Sequence, residues 1–437
     1  MGSSIEWLTD LFWPMKRISS WMELFMTSRP TSSILAICLS MTAISAVAGP
    51  LQGVQAIATG PKHACATTAN GQVQCWGDNT TFALGDGHRY VDPFAKRATP
   101  APVRTLRSVT AIANGEHHSC AIENGGIRCW GGNPFNAANV IGDGSAPNSI
   151  GQINPTPPIA TELLSNVIAV NSNYHHTCAI RHVSNVDSAW CWGYNASGQL
   201  GYGARDLSHD PMPVSILPSP IAGIATGSEF TCAVAGGGAW CWGDNSLGQL
   251  GIGTTPGTHF TPEPVAGLAS GVSAIAAAKD HACAIVSGNV MCWGKNNSSG
   301  VLGDGSTNDS KTPVAVVGLP AGVTAIAMGT SHTCALANGG VKCWGDGGSG
   351  KLGIPGIGSS RTPVDVTDLT SGVTAIAAPG IGNYTCAILQ DQTGRCWGSN
   401  DSRQLGNGDD SGAPSYVPTT VVEADFIFYD SFGMTAD

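Results

Sequence analysis

One tripeptide, Cys-Trp-Gly, occurs seven times in this 437-residue chain and limits its fold more than any other feature. It falls at Cys75-Trp76-Gly77, Cys129-Trp130-Gly131, Cys191-Trp192-Gly193, Cys241-Trp242-Gly243, Cys292-Trp293-Gly294, Cys343-Trp344-Gly345 and Cys396-Trp397-Gly398. Successive copies lie 54, 62, 50, 51, 51 and 53 residues apart. A second cysteine precedes each by nine to thirteen residues: Cys65, Cys120, Cys178, Cys232, Cys283, Cys334 and Cys386. Eight residues earlier stands an apolar β-branched residue in six copies: Ile57, Ile112, Val170, Ile224, Ile275 and Ile326. In the seventh copy an insertion displaces it to Ile376. Repeats of this length mark propellers and solenoids, whose units bury their faces against their neighbours.

The sixth copy can be read strand by strand. Val323–Met328 is apolar on both faces, and its alanines suit close packing near a crowded axis. His332–Ala337 and Gly340–Trp344 read as second and third strands. Thr362–Val366 reads as a fourth, with Pro363 near its start, where an edge strand tolerates a missing N–H. Four antiparallel strands in each of seven copies predict an all-β, seven-bladed β-propeller.

Counting tests the central hairpin. The midpoint between Cys334 and Cys343 falls on Asn338-Gly339, a preferred two-residue type I′ turn. The corresponding midpoints fall on Asn124-Gly125, Gly236-Gly237 and Ser287-Gly288. In these four copies the two cysteines therefore face each other at a non-hydrogen-bonded position. There Cα atoms approach to about 4.5 Å, within disulfide range. The expected pairs are Cys65–Cys75, Cys120–Cys129, Cys178–Cys191, Cys232–Cys241, Cys283–Cys292, Cys334–Cys343 and Cys386–Cys396, with buried free thiols as the alternative. The odd cysteine, Cys38, lies in the leader.

These motifs carry a resemblance. Gly329-Thr-Ser-His332-Thr-Cys-Ala-Leu336 and Cys241-Trp-Gly-Asp-Asn-Ser-Leu-Gly-Gln-Leu-Gly-Ile-Gly253 are similar to the two halves of the regulator-of-chromosome-condensation repeat. The resemblance covers nearly all of the chain after the leader, and it implies the seven-bladed fold. It implies function less directly. The family holds nuclear nucleotide-exchange factors for a small GTPase, and also exported bacterial proteins, some of which inhibit β-lactamases through loops on one propeller face. A fold hosts many functions.

The first 48 residues differ from the rest. The apolar, uncharged run from Ser33 ends in Ala46-Val47-Ala48, a small-x-small cleavage pattern, with Arg29 just upstream. That is the layout of a signal peptide, and the run is shorter than the ~20 residues that span a bilayer. The expected organisation is a leader at 1–48, a propeller at 49–422 and a tail at 423–437. Repeats are expected near 54–108, 109–166, 167–220, 221–271, 272–322, 323–372 and 373–422. The leader points to a secreted, periplasmic or cell-surface protein with no stable anchor once cleaved, resembling the exported members of the family.

Composition removes further classes. Charged residues make up 11% of the chain and the net charge is −10, so the basic footprint of non-specific nucleic-acid binding is absent. His332, Cys334 and Cys343 could be read as zinc ligands, which need a thiolate set and a fourth donor. The His position is Phe230 in the fourth copy and Tyr384 in the seventh, and a ligand cannot become Phe. The tryptophans read as core. Leu-Gly-Asp-Gly, at 84–87 and 302–305, lacks the ligand spacing of a calcium loop and reads as turn chemistry. No catalytic motif, metal site or cofactor is expected.

Function in a repeat scaffold is sought where the repeat breaks. The segment His88–Arg97 is long, aromatic and basic. Arg89, Tyr90, Phe94 and Arg97 are therefore candidate partner-binding residues, as is Phe135 in the irregular second copy. The third copy lengthens its hairpin at His182–Asp187. The expectation is a monomeric binding module that docks a protein or surface glycan on the face carrying these irregularities. Nucleotide exchange on a small GTPase and a loop-built extracellular enzyme are the alternatives.

Overall fold

A computed structural model describes residues 49–87, 96–132, 140–142, 164–206, 208–254 and 256–423. It shows a seven-bladed β-propeller. Six sheets have four strands each, and the second-blade sheet has three, all in antiparallel sequence order. A fourth strand of the second blade would fall outside the described residues. Among the described residues no helix is long and apolar enough to cross a membrane.

In the sixth blade the strands run Val323–Met328, His332–Ala337, Gly340–Asp346 and Ser359–Asp365. The first two match the sequence reading. The fourth begins three residues earlier than Thr362, because it is bulged: Cys343 faces Val364, but Gly345 faces Ser360. Pro363 sits inside that register break, where its missing N–H removes no ladder bond. The turn pairs Asn124-Gly125, Gly236-Gly237, Ser287-Gly288 and Asn338-Gly339 all have positive φ, as type I′ geometry requires.

Each cysteine pair is directly opposed across its hairpin, with Cα atoms 4.0–4.1 Å apart and sulfur atoms 2.06–2.10 Å apart. The seven tryptophans of the Cys-Trp-Gly motifs are fully buried. Each indole Nε1 donates to a carbonyl of the preceding blade: Trp242 to Gln199 at 2.9 Å, Trp344 to Val301 at 2.8 Å. The Leu-Gly of the recurring turn makes room for this ring. Gly201 has φ +74°, and a Cβ there would stand 2.5 Å from Trp242 Nε1, so both backbone and space demand glycine.

A second clasp runs between blades. The histidine opening the second strand is buried in five blades and meets a hydroxyl of the next. Nε2–Oγ distances are 3.0 Å for His63–Ser119, 2.8 Å for His118–Thr177, 2.9 Å for His176–Thr231, 3.3 Å for His281–Thr333 and 2.7 Å for His332–Thr385. Ser119, Thr231 and Thr333 donate their own protons to carbonyls, so the imidazole Nε2–H must be the donor in those pairs. Burial holds these rings neutral. It lowers His63 to about 4 and His118, His176, His281 and His332 to about 3.

The two blades without the histidine change both partners. Phe230 shares a buried cluster with Ala282, and Tyr384 with Ala64. His is matched by Ser or Thr, and the other rings by Ala. Tyr384 also closes the ring: its Oη lies 2.9 Å and 2.8 Å from the carbonyl oxygens of Gly60 and His63. Whole blades meet there, with Trp76 Nε1 donating to Gln404 O at 2.9 Å and an antiparallel bridge between Pro50 and Val422.

Candidate functional site

Antiparallel order divides the connections between two faces. The turn from first to second strand and the connection from third to fourth share one face. The central hairpin and the link to the next blade share the other. The irregularities noted in the sequence are therefore split. The third strands of the first and second blades end on the first-turn face, at Asp78 and Gly131, so the irregular stretches that follow them start there, whereas the lengthened third-copy hairpin lies opposite. This corrects the expectation that one face carries all three. The hairpin itself is an extension of regular strands, His176–Val183 and Val186–Gly193, around a positive-φ pair Ser184-Asn185. Asp187 accepts from His182 Nδ1 at 2.6 Å and from the Ile221 amide at 2.9 Å, so it ties the third blade to the fourth.

Of the candidate binding residues, Arg89, Tyr90, Phe94 and Phe135 lie outside the described residues. Arg97 is in the fourth strand of the first blade, Lys96–Pro102, where its Nε donates to Asp86 Oδ2 at 2.8 Å. Asp86 belongs to one of the two Leu-Gly-Asp-Gly turns. In the other, Asp304 accepts from the Ser306 amide and hydroxyl, each at 2.9 Å, which is turn chemistry. Trp190 and Trp240 are half-buried and pack against core clusters between blades.

The first-turn face carries a constellation that the sequence reading missed. The turns of the second and third blades read Gly115-Glu116-His117-His118 and Asn173-Tyr174-His175-His176. The Glu116 amide donates to Tyr174 O at 3.1 Å and locks the two turns together. Glu116 Oε2 lies 2.9 Å from His175 Nε2, and Oε1 lies 3.5 Å from His117 Nε2. The Tyr174 ring stacks on His175 at 3.8 Å and 8°, and Tyr194 meets it edge-on at 6.3 Å and 88°. Burial holds His117 below the usual histidine value. Burial alone would raise Glu116, but the His175 hydrogen bond and the nearby His117, His175 and Lys62 outweigh it and hold the carboxyl low. Glu116 and Lys62 also line a cavity of about 220 Å³ that continues to Asn383 and Asp401. The central channel, about 240 Å³, is ringed by Ile57, Ile112, Val170, Ile275, Ile326 and Ile376, with Asn114, Asn171 and Asn173 on its second- and third-blade side. A signal for this cluster was present: paired histidines where other copies have Ser331-His332 or Glu229-Phe230.

Seven sheets around one channel, each joined to the next by a tryptophan clasp and five of them also by a histidine clasp, define a repeat-built propeller. Family models described as regulator of chromosome condensation (RCC1) repeat match residues 70–122, 187–234, 236–285 and 287–336, and a second model of that description matches 54–81 and 323–351. The chain belongs to the RCC1 repeat family. It is 30% identical over 287 residues to the human E3 ubiquitin-protein ligase HERC2, covering 64% of this chain and 6% of HERC2. It is 28% identical over 298 residues to the mitochondrial RCC1 domain-containing protein RUG3 of Arabidopsis thaliana, covering 65% of each. The chain thus spans less than two thirds of the length of either relative. Among solved structures, Prp20p from Saccharomyces cerevisiae superposes with a TM-score of 0.68 at 19% identity, covering 86% of this chain and 91% of Prp20p. Human WBSCR16 gives 0.64 at 22% identity, covering 75% and 85%. These last two likenesses are of fold.

Proposed function

We propose that this propeller is an exported binding module that engages a protein partner through its first-turn face, centred on the second and third blades. One observation carries the reading. Aromatic and charged side chains gather at Glu116, His117, Tyr174, His175 and Tyr194, in the second and third copies, where the repeat departs from its 50–51-residue spacing. Aromatic anchors held rigidly at low entropic cost are the usual source of interface energy. Arg89, Tyr90, Phe94 and Phe135 follow in sequence the third strands that end on this face at Asp78 and Gly131, and are proposed to extend the contact. Seven cysteine pairs at bonding distance support an oxidising compartment, and the leader sequence supports export.

The test is capture of partners from extracellular fluid with the immobilised protein, identification by mass spectrometry, and affinity measurement. The double variant Tyr174→Ala/Tyr194→Ala should weaken binding about tenfold or more. Val183→Ala/Val186→Ala, on the opposite face, should leave it unchanged. The reverse result moves the site to the hairpin face. A captured glycan, stimulated nucleotide release from a small GTPase, or turnover of a small substrate would replace the protein-binding reading. Thiol labelling of the unfolded, unreduced protein checks the compartment: the fourteen paired cysteines should stay unlabelled, and full labelling removes the support for export.

A further inference from the structure

We propose that Glu116, His117 and His175 form a binding site for a divalent transition-metal ion of the zinc class on the first-turn face, bridging the second and third blades. Their donor atoms, one carboxylate oxygen and two imidazole nitrogens, all lie within 4.8 Å of one another. Two donors on one tetrahedral zinc ion stand about 3.3 Å apart, given bonds near 2.0–2.1 Å. Glu116 Oε2 lies 2.9 Å from His175 Nε2 and Oε1 lies 3.5 Å from His117 Nε2, so each ring has a carboxylate oxygen near that spacing and an ion is reached by side-chain adjustment.

The chemistry of the donor set selects the ion. Imidazole with carboxylate suits zinc, nickel or copper, whereas calcium and magnesium favour all-oxygen cages. The other clustered histidines are excluded by their own bonds: His63, His118 and His176 aim Nε2 at hydroxyls inside the blade junctions. His117 and His175 instead aim Nε2 at the same carboxylate.

The site is also held in place. The side chains of His117, His175 and Glu116 are only 12%, 16% and 20% exposed. Tyr174 and Tyr194 fix the plane of the His175 ring, and the Glu116–Tyr174 backbone bond fixes the separation of the two turns. Fixed ligand orientation is what supporting groups contribute at metal sites. Three protein donors leave a coordination position for water or an incoming donor. An ion-pair network that only fastens two blades would use the same contacts, and the experiment separates the two.

Tag-free full chain is stripped with a chelator and titrated with ZnCl2 by calorimetry. One saturable site per chain is expected, and Co2+ should give the visible absorption of a low-coordinate nitrogen–oxygen site. His117→Ala, His175→Ala and Glu116→Gln should each weaken Zn2+ binding more than roughly tenfold, the lower bound for altering even a supporting group. His182→Ala, on the opposite face, should change nothing. Glu116→Gln keeps the side-chain volume, so it decides the matter if an alanine variant fails to fold. No saturable Zn2+ site, or an affinity indifferent to Glu116→Gln, overturns the proposal.

Discussion

The junction between the second and third blades and that between the sixth and seventh are built on one frame and present different surfaces. Both bury a histidine against a threonine of the next blade, His118 on Thr177 and His332 on Thr385. Both receive a buried tryptophan, Trp192 and Trp397, whose indole bonds back across the junction. The two residues before each histidine differ. In the sixth blade they are Thr330 and Ser331. In the second they are Glu116 and His117, which converge with His175. The repeat fixes what lies between blades and leaves two positions per turn open to vary, and chemistry gathers there.

That separation can be broken experimentally. The broadest test is acid. Five buried histidines have folded-state values near 3–4 against an ordinary 6.5. Their contribution is fully present above pH 6.5. As pH falls the unfolded chain takes up protons that the folded ring refuses, so each site costs up to about 1.4 kcal/mol per pH unit until its folded value is reached. Circular dichroism should show thermal stability falling steadily from pH 7 to pH 4. A flat profile would mean that the clasps titrate normally.

Next in size, Trp192→Ala and Trp397→Ala should each cost about 3–5 kcal/mol in denaturant unfolding, and similar losses at both junctions support a common frame. Thr385→Ala should cost about 1–3 kcal/mol by leaving the buried His332 Nε2 without its hydrogen-bond partner. The double variant His332→Phe/Thr385→Ala, which copies the Phe230–Ala282 pair, should recover part of that loss, giving a coupling measurable by a mutant cycle. Additive losses would show that the pairing of ring and partner is coincidental. The smallest effect belongs to the surface: Glu116→Gln should change stability by less than about 1 kcal/mol, since partly solvated ion pairs contribute little. A larger loss would place Glu116 in the frame.

The sequence alone determined the blade count, the strand order within a blade, the type I′ turns and the opposition of the cysteines. All of these are local: a hairpin's register follows from its turn and from the two-residue period of a strand. It also held, unread, the matching of His with Ser or Thr and of Phe or Tyr with Ala one blade later. Tertiary structure decided what depends on neighbours about fifty residues away in the chain. It put the third-copy hairpin opposite the face where the other irregular stretches start, engaged Arg97 with Asp86, and closed the ring by whole blades meeting at Tyr384. It also brought Glu116 and His175, 59 residues apart, to within 2.9 Å. A repeat shows which positions vary, but only the angle between blades determines which variable positions meet.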